Sequence, residues 1–371
     1  MSDDEILRND PRWHEGPSWR DDPVGVPAPT HRCAADVAQA LMRAWQDSLS
    51  APACPTTGIG PLDQIMPGLL LPGRMVVIGA RPAVGKTALA MQIAEHVGAS
   101  DATTDVVIAS YEMTSESLAR RHVVARAIAS GTPLHDPHFW RDERDSAAIA
   151  DGIVEFGSRP YRIIDRDRQR RAVRAAIAEA VRASRDAGRR VGVVILDYLQ
   201  QIVDEEAGTR EREVGLASVM LAEIAKQLGV ALLVLAQLNR GSATAAEPRP
   251  PVVTDLRDSG QIEQDADAVL LLHRPAVAPG QVPQGAGRPA QIIVGKSRHW
   301  GVEPGHTIAM LDQGLRWVPD VPPPPVSARA QAMAAARARP APQTGLDAAM
   351  QMFGVDAVLC DVEGVRNVPD F

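Results

Sequence analysis

The sequence predicts an α/β fold: a mainly parallel twisted sheet with helices on both faces and a C-terminal antiparallel hairpin. Three observations predict it. Six short apolar runs, "RMVVIGA", "VVIAS", "YRIID", "VGVVILD", "ALLVLAQ" and "AVLLLHR", are separated by helical stretches between Thr56 and Pro319. These runs are apolar and β-branched without alternation, the pattern of strands buried on both faces. The first of them leads into "ARPAVGKTAL", residues 80–89, where a glycine-containing loop opens a helix, the arrangement that binds phosphate.

Taken in order, residues 1–30 are rich in Asp, Arg and Pro, show no period of 2 or 3.6, and read as a disordered segment. Residues 31–55 form a helix and connector, because "AADVAQALMRAWQDSL" puts Val37, Leu41, Met42, Trp45 and Leu49 on one helical face. Such a helix packs on its own domain or docks on a neighbouring subunit. Residues 56–319 form the folded domain, in which "AQIIVGKSR", "HTIAML" and "LRWV" read as the closing antiparallel hairpin. The arginine-rich "DRDRQRRAVRAAIAEAVRASRDAGRR" suits a solvated helix covering the sheet better than a nucleic-acid surface. From residue 320, "PDVPPPPV" begins a Pro/Ala/Arg-rich linker and flexible tail.

Composition narrows the class. A formal charge of −7 argues against a protein that coats nucleic acid with its whole surface, and it leaves room for a local basic lumen. Cys33, Cys54 and Cys360 lack disulfide or zinc-ligand spacing, which suits a reducing cytoplasm. No apolar run approaches the ~18 residues of a membrane span, and the acidic N-terminus is no secretory signal. A cytoplasmic protein with no membrane partner is expected.

The phosphate loop fits the pattern Ala/Gly, four residues of any kind, then Gly-Lys and Ser/Thr, so the expected nucleotide-binding residues are Ala80, Arg81, Pro82, Ala83, Val84, Gly85, Lys86, Thr87 and Ala88. Gly85 lets the backbone approach the phosphates, Lys86 reaches the β and γ phosphates, and Thr87 can ligate Mg²⁺. Hydrolysis also needs a metal shell, a group that orients water and positive charge in the transition state. Asp197, at the end of "VGVVILD", is the expected acid on the metal. Glu112, ending "VVIASYE", can polarise water or can simply be an acid favoured at a helix N-terminus. Gln237, ending "ALLVLAQ", places an amide where the γ phosphate would sit.

Together "GARPAVGKT", "SYEM", "DYLQ", "QLNR", "DLRDSGQIEQDAD" and "GKSR" resemble, in this order, the C-terminal motor domain of the DnaB-type replicative helicases. These are RecA-like P-loop NTPases that form hexameric rings on single-stranded DNA. The resemblance implies an ATP-dependent DNA helicase acting in replication, with ATP and Mg²⁺ bound at Lys86, Thr87 and Asp197. Glu112 then activates water and Gln237 senses the γ phosphate. The resemblance also implies that Lys296 and Arg298 reach the ATP of the adjacent subunit; on spacing alone they are solvated hairpin residues. Arg257, Asp258 and Gly260 are implied to hold DNA phosphates in the channel, with Asp258 standing where the family commonly has Glu. On spacing alone, Asp255, Arg257 and Asp258 cap a helix. The implied partners are single-stranded DNA, further copies of the chain, and a loader or other replication protein. Only about 55 residues precede the motor, so the family's helical N-terminal domain is expected to be absent. Two other readings stay open: a RecA-like recombination or regulatory ATPase, and an accessory protein that binds DNA or another helicase without unwinding.

Overall fold

The computed structural model describes residues 34, 37–39, 42, 54–129, 146–239, 249–256, 259–275, 287–312 and 316–320. Arg257, Asp258, residues 1–30, most of the 34–49 stretch and the tail beyond Asp320 lie outside these. The chain divides into two units, one spanning Cys54–Ala336. In the other, Ala34, Val37, Ala38, Gln39 and Met42 are helical, and Val37 is 42% exposed.

In the larger unit, α1 (Gly60–Ile65) precedes β1 (Met75–Ala80), α2 (Lys86–Ala99), β2 (Thr104–Ser110), α3 (Ser115–Ala129) and α4 (Ser146–Ser158). Then come β3 (Tyr161–Ile164), α5 (Arg170–Asp186), β4 (Arg190–Asp197), α6 (Arg210–Leu228), β5 (Leu232–Gln237) and α7 (Ser259–Asp265). The chain closes with β6 (Ala268–His273), β7 (Arg288–Ser297), β8 (Thr307–Asp312) and β9 (Trp317–Pro319). The nine strands form one sheet in the order β3-β2-β4-β5-β1-β6-β7-β8-β9. Every apolar run read from the sequence is one of its strands, and β3, β2, β4, β5, β1 and β6 pair in parallel. The expected hairpin is present, with β9 added as a third antiparallel strand.

Alternate residues of each central strand feed two different cores. Val76, Ile78, Val106, Ile108, Ile195 and Leu235 pack with Leu89, Ile93 and Val97 of α2. Val77, Val107, Val194 and Val234 face the other way, against Val173, Ile177 and Val181 of α5 and Val214 and Leu221 of α6. Each such side chain contributes about 1.5–3 kcal/mol on full burial, which is why both faces must be covered. The arginine-rich helix α5 fits this need: its Val173, Ile177 and Val181 stripe is buried, and its arginines turn to neighbours in the same unit. Arg170 pairs with Asp204 at 2.5 Å and Arg171 with Glu206 at 3.1 Å. Where α2 passes over β4, Gly192 interrupts the strand register, and a Cβ there would lie 2.6 Å from both Val97 and Thr104.

Asp105 ties the sheet's outer strands together. It is 4% exposed and accepts from Arg189 Nε at 2.5 Å and Arg162 Nε at 3.0 Å. Burial alone would raise its pKa, but hydrogen bonds from Arg189, Ser184 and Arg162 outweigh it and hold the carboxyl below the ordinary 3.8. A depressed folded pKa means stability that is complete above pH ~4 and is lost as pH falls through the lower folded value. Asp105→Asn is therefore expected to cost about 2 kcal/mol at pH 7, since the two arginines are partly solvated. Urea unfolding of variant and wild type should show a gap at pH 7 that narrows at pH 3; an equal gap at both would remove the charge from the explanation.

Candidate nucleotide site

The loop that follows β1 is held open by its own backbone. Ala80 ends the strand, fully buried, and its carbonyl accepts from Leu238 N at 3.1 Å. Beyond it Pro82 and Ala83 are exposed, and Val84 N donates to Arg81 O at 3.4 Å across the turn. Ala83 and Gly85 take positive φ, 61° and 108°, and Gly85 caps α2 without any side-chain hydrogen bond. The first amides of α2 are therefore left for a ligand, at the end of the helix that attracts anions. Ala88, in the first turn, is buried against the core.

Lys86 and Thr87 start that helix beside Asp197. Thr87 Oγ1 donates to Asp197 Oδ2 at 2.7 Å, and Asp197 Oδ1 is buried with no hydrogen-bond partner among the described residues. Lys86 is 8% exposed, and its Nζ lies 5.3 Å from the Tyr198 ring centroid. Burial pushes the Lys86 ammonium down while Asp197 and Glu112 pull it up. Burial pushes the Asp197 carboxyl up; the Thr87 hydrogen bond and the charges of Lys86 and Arg121 oppose it, while that of Glu112 adds to it. An orphan carboxylate oxygen next to a threonine hydroxyl is an all-oxygen donor set suited to a hard cation such as Mg²⁺.

Glu112 and Gln237 arrive from the flanking strands. Tyr111 N donates to Asp197 O at 2.7 Å, and Ser110 Oγ closes the next turn on Met113 O at 2.7 Å, so exposed Glu112 sits at its apex. Gln237 ends β5 opposite Ala80. Its backbone is clipped by Gln200, which accepts from Gln237 N at 3.0 Å and donates to Gln237 O at 3.3 Å. The loop residues, Asp197, Glu112 and Gln237 thus meet at the C-terminal ends of β1, β4, β2 and β5, where open parallel sheets bind ligands.

Lys296 and Arg298 are elsewhere. Lys296 pairs with Val269 near the start of β6, and Arg298 N donates to Asp267 O at 2.9 Å. Since Asp267 N bonds Met75 O at the start of β1, Arg298 lies roughly 16 Å along the sheet from Ala80, five strand residues away. Among the expected DNA contacts, Gly260 is exposed in α7 with open space around it, while Arg257 and Asp258 lie outside the described residues. Asp255 takes the capping role that spacing allowed: it accepts from Val252 N at 2.9 Å and from Arg249 at 2.7 and 2.8 Å. Asn239 N donates to Asp255 O at 2.8 Å and Leu238 bridges Leu256, so the chain just after Gln237 is joined to the segment leading into residues 257–258.

Three residues at this site carry no spacing signal. Gln200 lies in "DYLQ" with its role hidden until the strand order is known. Arg274 Nη1 donates to Ala83 O at 2.9 Å, and Trp317, fully buried, would stand 3.0 Å from a Cβ on Gly85. Arg274 and Trp317 reach the loop from strands far along the chain.

A loop of this shape after the central strand of a parallel sheet, with acids at the ends of the neighbouring strands, defines a RecA-like P-loop NTPase core. The family model "DnaB-like helicase C terminal domain" matches residues 55–309, and the chain belongs to that family. It is 35% identical over 263 residues to "Replicative DNA helicase DnaB" of Leifsonia xyli subsp. xyli, covering 70% of this chain and 54% of the relative. Among solved structures, "The Structure Of A DnaB-Like Replicative Helicase And Its Interactions With Primase" aligns with a TM-score of 0.60 at 25% identity, over 79% of this chain and 68% of that one. A second solved structure, of an isolated ATPase domain, aligns with a TM-score of 0.59 at 25% identity, over 76% and 98%. The chain spans about half the length of the curated relatives it matches.

Proposed function

We propose that this protein is an ATP-dependent DNA helicase of DnaB type, which moves as a ring on single-stranded DNA and unwinds duplex during replication. The observation that carries the reading is the buried Thr87–Asp197 pair beside Lys86 at the end of the phosphate-loop strand. In it Lys86 neutralises the β and γ phosphates, and the α2 amides together with Ala80–Ala88 cradle them. Thr87 and Asp197 would hold Mg²⁺, whose charge stabilises the phosphate oxygens during transfer. Glu112 orients the attacking water, and Gln237 registers loss of the γ phosphate. Lys296 and Arg298, about one strand length from their own loop, serve the nucleotide of the next copy. This supports assembly as a ring homo-oligomer, a hexamer by the family resemblance.

The organisation proposed is a disordered segment to residue 30, a docking helix within 31–55, the motor over 56–319 and a flexible tail from 320. No helix among the described residues is long and apolar enough to cross a membrane, in keeping with a cytoplasmic role. A loader or other replication protein is the further partner.

Arg257, Asp258 and Gly260 hold successive phosphates, so binding is sequence-tolerant and weakened by salt. Arg257→Ala is expected to lower single-strand affinity and reduce the salt slope by about one, with ATP turnover in the absence of DNA spared. Anisotropy titrations across a salt series check this, and an unchanged slope takes Arg257 off the DNA. The function itself is tested by strand displacement on a forked duplex with ATP and Mg²⁺, sizing the same samples by light scattering. Unwinding by a ring-sized species is expected; ATP turnover without unwinding at any protein concentration sinks the proposal.

A further inference from the structure

Asp267 stands where the strand bearing the phosphate loop meets the strand bearing Arg298. It is 7% exposed and uses main chain and side chain together. Its amide donates to Met75 O at 2.8 Å and its Oδ2 accepts from Met75 N at 3.0 Å, gripping the first residue of β1. On the other side its carbonyl accepts from Arg298 N at 2.9 Å, and its Oδ1 accepts from Arg298 Nη1 and His299 Nε2, each at 3.2 Å. Arg298 Nη2 adds a bond to Gln264 O at 2.6 Å, and Lys296 Nζ donates to Glu263 O and Gln264 O. Both cations thus lean on the last carbonyls of α7, the helix end that favours positive charge. Even so, 43% of the Arg298 side chain stays exposed. The guanidinium is held from one side and offered to solvent on the other.

Resting on the reading of Arg298 as a cation lent to a neighbouring copy, we propose that Asp267 is the positioning residue for that cation. By sharing its two carboxylate oxygens between the start of β1 and the guanidinium, it sets the charge in register with the rigid sheet. A long arginine side chain left to itself samples many rotamers, and misplacing a reacting group by about 1 Å can cost 10²-fold in rate.

Asp267→Asn separates the two duties. The amide oxygen can still accept from Met75 N, whereas the amide nitrogen is a donor and cannot hold Arg298 or His299. The experiment mixes inactive copies. Lys86→Ala lends an intact Arg298 and turns over nothing; Arg298→Ala keeps an intact loop and lends nothing. Mixed, they should regain ATP turnover where the first faces the second. The donor is then replaced by Lys86→Ala combined with Asp267→Asn. Its own loop is already inactive, so any damage to β1 cannot enter the readout.

Regained turnover is expected to fall about tenfold or more, with donor size and melting temperature matching those of Lys86→Ala alone. Undiminished rescue by the double variant overturns the positioning role. No rescue by the simple donor overturns the reading beneath it instead. Should the Asn donor fail to fold, Lys86→Ala with Asp267→Glu decides: it keeps the charge and lengthens the arm, so weaker rescue is expected and full rescue overturns the proposal.

Discussion

Lys86→Ala is expected to lower ATP turnover by about 10³-fold or more and to weaken nucleotide binding measurably. The ammonium is buried beside two acids, Asp197 and Glu112. Removing it leaves those acids facing the phosphates without their nearest positive charge. At an effective dielectric near 20, one unit charge 5 Å away is worth about 3 kcal/mol per phosphate charge, so loss over several phosphate oxygens exceeds what the loop amides can replace. Asp197 suffers as well: burial already pushes its carboxyl up, and Lys86 is one of the charges holding it down. Titration with a fluorescent ATP analogue and a phosphate-release assay check both halves. A fall of less than tenfold in turnover would mean that Lys86 does not face the γ phosphate.

Arg298→Ala should behave differently, keeping nucleotide affinity within about twofold while turnover falls 10²–10³-fold. The separation follows from position. Arg298 sits beside the start of β6, bonded to Asp267 and Gln264, far from the loop of its own copy, so it adds nothing to binding by an isolated chain. A charge that enters the site only on assembly stabilises the transition state more than the bound substrate, and its removal appears in kcat. Turnover should therefore rise steeply with protein concentration in the wild type and stay flat in the variant. Undiminished ATPase activity in Arg298→Ala would place the lent charge on another residue.

Much of this site could be read before any fold was known. "ARPAVGKTAL" and the acids ending "VVIASYE" and "VGVVILD" announce themselves because phosphate loops and strand-end carboxylates are local patterns, and the structure brings Lys86, Thr87, Asp197, Glu112 and Gln237 together. The six strands were equally legible, since burial on both faces forces unbroken β-branched runs. The supports of the site were not. Gln200 clips Gln237 only because β5 lies next to β4. Arg274 and Trp317 reach the loop only because β6 and β9 return to its flank. Asp267 reads as one acid among several in "DLRDSGQIEQDAD" until the start of β1 is beside it.

Residue type and spacing alone settle which elements form and which side chains can do chemistry, because helix and strand periods and phosphate cradles span only a few neighbours. Strand order decides the rest. With β1 between β5 and β6, the loop gathers its acids at one end of the sheet while Lys296 and Arg298 are left at the other. No local pattern encodes that separation, since it arises from which distant strands hydrogen-bond, and it is what ties the proposed turnover of one copy to the presence of the next.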